Sequence, residues 1–298
     1  MTRLGPVRAW RELGAFSFDR LRAARVQLHV AAGMAGSVGE AHSEPEPDYG
    51  HVSLAWDPRA RALMGAPTRS CPAIRAGLRP AGLELVLAEE GEDPPAVLPL
   101  SGRDVEEVWT WLRGSLADRV PAAGDVPLRR RDLHLPAADG LPERFASADT
   151  EALEELEAWI EDADALLGAL RKLNPAATPV RCWPHHLDIA TLIVLDPGSD
   201  PEEARSVGAG LSLGDEVYLE PYLYVNAWPA PEASRVEALS ALAGGGRWHL
   251  EGWFGAVLTG PDLVSAAATD QPERAGAFVD SAVRACRAAL GADADPAS

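Results

Sequence analysis

Between Trp183 and Trp253 the chain gathers three of its seven histidines, four of its nine tryptophans and three of its four tyrosines. They fall in three short runs: Trp183-Pro184-His185-His186-Leu187-Asp188, Gly214-Asp215-Glu216 continuing to Trp228, and Trp248-His249-Leu250-Glu251-Gly252-Trp253. Imidazoles and carboxylates at this density suit metal binding or proton transfer. The middle run carries the clearest pattern. From 217 to 228 the odd positions read Val, Leu, Pro, Leu, Val, Ala, and the even ones Tyr, Glu, Tyr, Tyr, Asn, Trp. A strand sends successive side chains to opposite faces, so one face is aliphatic core. The other is aromatic and polar, the mixture that lines a ligand site.

The same alternation puts Arg247, His249, Glu251 and Trp253 on one face of a third strand. His186 and Asp188 share a face of the first, with His185 opposite. Neighbouring strands would bring these polar faces to within about 5 Å of one another. Two imidazoles, His186 and His249, with a carboxylate from Asp188, Glu220 or Glu251, would then suit a divalent zinc or iron ion. No established ligand spacing such as H-E-x-x-H supports that metal, and the cofactor stays open. Without one, Glu220, Glu251 and Asp188 beside Trp and Tyr would have raised pKa values and serve as acid–base groups. Tyr222, Tyr224, Asn226, Trp228, Trp253 and His185 would hold the ligand, a small polar or aromatic-stacking molecule. A Trp- and Tyr-lined floor with two carboxylates also resembles sugar-processing sites. The rival reading is a non-catalytic binding or interaction module, and the same side chains also suit a satisfied polar core network.

Composition narrows the field. At 298 residues the chain can bury a large core as one domain or two. Its net charge of −18 repels phosphate backbones, which excludes nucleic acid as a general partner. No apolar run approaches the roughly 20 residues needed to cross a bilayer, and no apolar stretch follows Met1 to Trp10 as in a secretory signal. The expected location is the cytoplasm, without a membrane partner. Cys71, Cys182 and Cys286 show no paired spacing, so neither a disulfide framework nor a cysteine zinc site is expected.

The elements that must position the site are helices and strands in alternating blocks. Helices are predicted from Phe18 to about Ala32 and after Asp104, from about Thr150 to Leu173, and from about Pro272 to Leu290. Asp270 and Glu273 resemble a capping box at the last. Strands are predicted at Val52–Trp56, Leu83–Ala88 and Ala96–Leu100, then at Asp188–Leu195, Val217–Trp228 and Trp248–Leu258. Residues 33–50 and 118–149 read as long loops, with a short strand at Leu128–Leu135. Residues 8–14 read as a short turn and the tail after Gly291 as frayed. The expected fold is α+β, a mostly antiparallel sheet with helices packed on one side. Residues 1–149 would form a structural half and 150–298 the half carrying the site, as two pseudo-equivalent α-β-β-β-α units.

The runs Trp183 to Ala190, Gly210 to Glu216, Glu220 to Tyr224 and Trp248 to Trp253 together resemble the motif series of an uncharacterised bacterial family, a domain of unknown function. His51-Val52-Ser53-Leu54 is similar to an opening strand of the same group. The resemblance implies a soluble bacterial protein and supplies no reaction.

Overall fold

The computed structural model describes residues 4, 10–91, 94–120, 126–136, 139–199, 203–232 and 239–292. The predicted turn at 8–14 and the tail lie partly outside them. A long helix α1 (Phe18–His42) leads into strands β1 (Leu54–Asp57), β2 (Ala62–Gly65), β3 (Ile74–Arg79), β4 (Glu84–Glu89) and β5 (Ala96–Pro99), then helix α2 (Val105–Ala117). Helix α3 (Thr150–Leu173) opens the second half. It is followed by β6 (Arg181–Trp183), β7 (Asp188–Val194), β8 (Ser206–Ser212), β9 (Tyr222–Trp228), β10 (Arg247–His249) and β11 (Gly255–Thr259). Helices α4 (Gly260–Val264) and α5 (Gln271–Ala289) close the described chain.

Among the described residues eleven strands join one antiparallel sheet in the order β10-β11-β9-β8-β7-β6-β1-β2-β3-β4-β5. The fold is thus α+β with an antiparallel sheet, as expected. Register explains which face is buried. Leu98, Leu85, Leu78 and Leu63 stand opposite one another across β5 to β2. Leu54, Cys182, Ile189, Leu211, Leu223 and Leu258 do the same from β1 to β11. Both rows belong to one buried core. Helix α1 packs against β1 to β4, α3 against β7 and β8, and α5 against β8, β9 and β11.

Several elements depart from expectation. Helix α1 continues ten residues past Ala32, through a stretch whose glycines suggested a loop. Those glycines are packing points. A side chain at Gly36 would meet the Val52 carbonyl and Pro184, and one at Gly39 would overlap the His51 carbonyl. Segment 128–135 forms no strand. Four strands, β2, β3, β6 and β8, escaped prediction because they are short or broken by glycine, which weakens a strand pattern. Helix α2 begins with the full capping box of Asp104 and Glu107, while Asp270 before α5 makes no side-chain cap. Cys182 and Cys286 are buried free thiols and Cys71 is exposed. Among the described residues no helix is long and apolar enough to cross a membrane.

Ahead of α1, residues 10–16 are tied to α3 and α5. The Arg11 amide donates to Asp162 Oδ1 at 2.9 Å, and the Gly14 and Phe16 amides donate to the two oxygens of Glu155. Gln271 accepts from Leu13 N and donates to its carbonyl. Asp162 is buried and its Oδ2 has no partner, so burial pushes its carboxyl up to about 7.

Candidate functional site

The side chains of β7, β8 and β9 that alternate with the Ile189, Leu211 and Leu223 core row border a cavity of about 250 Å³. Register builds its floor. Asp188 stands opposite Ser212, which stands opposite Tyr222; one row further on, Gly210 faces Tyr224, and in the next Gly208 faces Asn226. Of these, Asp188, Ser212, Tyr222, Tyr224 and Asn226 line the cavity. Trp253, Asp215, His186 and His134 complete the wall.

Two glycines make the floor possible. A Cβ at Gly210 would lie 2.6 Å from the Tyr224 ring, and one at Gly208 would overlap the Asn226 side chain. With no side chains there, Tyr224 lies across β8 and donates from its hydroxyl to Asp188 Oδ2 on β7 at 2.6 Å. Gly255 gives Trp253 the same freedom. A second pair stands beside the first. Tyr222 donates to Asp215 Oδ2 at 2.6 Å, and the Tyr222 and Tyr224 ring centres are 6.1 Å apart.

The two carboxylates differ in surroundings. Asp215 Oδ1 accepts the amides of Val217 and Tyr218, each at 2.8 Å, and the Arg25 guanidinium acts on the same carboxylate from α1. Among the described residues Asp188 has only Tyr224 as a side-chain donor, and its Oδ1 is shut from water with no partner. Burial therefore pushes Asp188 up to about 6, against the lowering effect of the Tyr224 hydrogen bond. The Tyr224 hydroxyl is held well above its ordinary range by burial and by the adjacent Asp188.

Two histidines, His134 and His186, line the cavity, and His185 packs beside them. The His185 carbonyl accepts from His29 Nε2 at 3.1 Å and from the His134 amide at 2.8 Å, which fixes the β6–β7 turn against α1 and the 126–136 segment. His186 and His134 meet with ring centres 4.4 Å apart. Burial, with His134 nearby, lowers the His186 pKa. Burial lowers His185 to about 4, with His186 and His134 adding to the effect, so the His185 ring is neutral at pH 7.

Of the residues expected from sequence, Asp188, His186, Tyr222, Tyr224, Asn226 and Trp253 come together. The rest do not line the cavity. His185 packs edge-on against Trp183 and His134, and Trp228 is exposed at the end of β9. Glu220 and Glu251 sit outside because the strands expected to carry them are shorter. Asp215 turns the chain at Gly214, and Pro221, which has no N–H for the ladder, precedes β9. Gly252, with φ of 80°, breaks the third strand after His249.

His249 is the main correction. Its Nε2 donates to the Glu251 carbonyl at 2.6 Å, which leaves Nδ1 to accept from the Tyr218 hydroxyl at 2.9 Å. Both nitrogens are thus occupied, and the ring stacks on Trp253 at 4.3 Å. The proposed His186–His249 metal pair is not assembled, and among the described residues no group of three or more His, Cys, Asp or Glu side chains could hold a metal ion. His249 instead backs the indole wall. Asp215, Ser212 and His134 were missed as site residues. The Gly-Asp sequence at 214–215 was the available signal for the turn, whereas nothing in the sequence marked His134.

Compared with known proteins, the chain matches no family model, no curated protein and no solved structure.

Proposed function

We propose that the protein binds a small polar molecule on the β7–β9 face and moves a proton at Asp188. One observation carries this reading: the Asp188 carboxyl lines the cavity, held by Tyr224 with its other oxygen unpartnered, and burial pushes its pKa up to about 6. Such a group is populated in both protonation states near neutral pH, the condition under which a general acid–base catalyst works best. Burial raises Asp188 and lowers His186 on the wall of the same cavity. Asn226 offers a donor and an acceptor for orienting a ligand, and Trp253 offers an apolar wall.

The test is a thermal-shift screen of polar small molecules against the wild type, Asp188→Asn and Trp253→Ala. Compounds that stabilise the wild type should lose their effect in both variants. Calorimetry of a hit near pH 6, in two buffers of different ionisation enthalpy, should then register a proton taken up or released on binding. If hits stabilise Asp188→Asn as strongly as the wild type, the reading fails. Non-catalytic binding is favoured by one feature, the shielding of Asp188 Oδ1 from water. It predicts hits that bind with no turnover and no proton exchange.

A further inference from the structure

The cavity's charges are unbalanced. Two carboxylates, Asp188 and Asp215, line it, and no described lining residue is Arg or Lys. Asp215 is compensated by two backbone amides, by Tyr222 and by the field of Arg25. Asp188 receives one hydroxyl, and its second oxygen faces neither a donor nor water. A buried charge in that state is costly unless something of opposite sign comes near. Coulombic attraction in a low-dielectric pocket acts over several ångströms, so the compensating charge need not touch Oδ1. Around Asp188 stand the rings of Tyr222, Tyr224 and Trp253, whose faces attract cations.

We propose that the missing charge arrives with the ligand: the pocket takes the protonated nitrogen of a small organic amine. The inference rests on the reading of this cavity as a ligand site and adds the chemical class of what enters. An ammonium offers three N–H donors and a full positive charge, and its apolar remainder packs on the indole of Trp253. A neutral polyol would leave Asp188 uncompensated. A carboxylate or phosphate would meet two like charges and no described cation in the wall.

Three probes of the same shape separate these cases: benzylammonium, benzyl alcohol and benzoate. Each is titrated at pH 7.5 into the wild type, Asp188→Asn and Trp253→Ala, with heat and tryptophan fluorescence as readouts. The wild type should bind benzylammonium about tenfold more tightly than benzyl alcohol, through the attraction of one charge in a low-dielectric pocket, and should not bind benzoate. Asp188→Asn should lose most of the preference for the amine over the alcohol, and retained alcohol binding would show the variant to be folded. The wild-type comparison stands even if that variant does not fold. Benzyl alcohol binding as tightly as the amine, with dependence on Trp253, overturns the cation and leaves the ligand site intact. An amine preference that survives Asp188→Asn also overturns it. If no probe binds, or Trp253→Ala changes nothing, the ligand-site reading falls and takes the inference with it.

Discussion

The Tyr224 hydroxyl and the Asp188 carboxylate lie on strands that are not neighbours, yet they meet at 2.6 Å. The intervening strand, β8, presents Gly210 beneath the ring, where any Cβ would stand 2.6 Å from it. A single missing side chain thus sets the position of the acid–base candidate.

Gly210→Ala is expected to displace Tyr224 and cost about 1–3 kcal/mol, the usual penalty for overfilling a packed site. Gly168→Ala, in α3 with open space around it, serves as the control and should be neutral or stabilising by up to about 1 kcal/mol. Urea unfolding of both variants reads the difference. Equal stabilities would show that Tyr224 does not depend on the gap.

Tyr224→Phe removes the one side-chain donor to Asp188. Because that hydrogen bond lowers the carboxyl pKa while burial raises it, the variant's Asp188 should titrate above about 6. Carbon-detected NMR of the carboxyl follows this directly, and unfolding should show a loss of about 1–3 kcal/mol for the unsatisfied acceptor. An unchanged or lowered midpoint would contradict the assigned bond.

Asp162 gives stability a definite pH dependence. In the folded protein its carboxyl keeps its proton up to about 7, whereas unfolded it releases near about 3.9. Between those values the native state binds more protons, so this group's contribution is complete at low pH and is lost as pH rises to 7. The slope is up to about 1.4 kcal/mol per pH unit for one proton. His29 and His185, both lowered to about 4, act in the opposite sense, because their contribution is lost as pH falls from 6.5. The measurement is therefore the difference between wild type and Asp162→Asn from pH 4 to 8. Asp162→Asn should gain relative to the wild type as pH rises; a flat difference would show that Asp162 is ionised throughout.

His249→Ala should act on packing and leave metal content alone. Loss of the Trp253 stack and the Tyr218 hydrogen bond should red-shift tryptophan emission and lower stability by about 1–3 kcal/mol. Elemental analysis should find the same metal content in variant and wild type. Stoichiometric metal present only in the wild type would restore a ligand role for His249.

The site was legible where side-chain alternation coincided with a real strand. Tyr222, Tyr224 and Asn226 share the face read from their spacing, and Asp188 opens β7 as expected. The reading failed where backbone chemistry ended the strand early. Glu220 precedes Pro221 and Glu251 precedes Gly252, and both fell outside the ladder. His134 reaches the cavity from an irregular segment, where no periodicity exists to be read. In the fold, α3 was visible through its apolar stripe, its acidic first half and the basic Arg171 and Lys172 at its end. The second half of α1 was hidden because glycine lowers helix propensity in any sequence-based reading, while here tertiary packing against Val52 and Pro184 decides.

The enclosure of α1 also bears on how the chain is made. His29 waits for the His185 carbonyl, which is 156 residues further along. At ribosomal rates of about 5–20 residues per second, that interval lasts roughly 8–30 s. During it, α1 already has β1 to β4 to pack against, while α3 and the β6–β7 turn that complete its cover are still to be made. Closure of this fold is thus a late event in synthesis, with the part of α1 that meets α3 and the β6–β7 turn left open until the second half arrives.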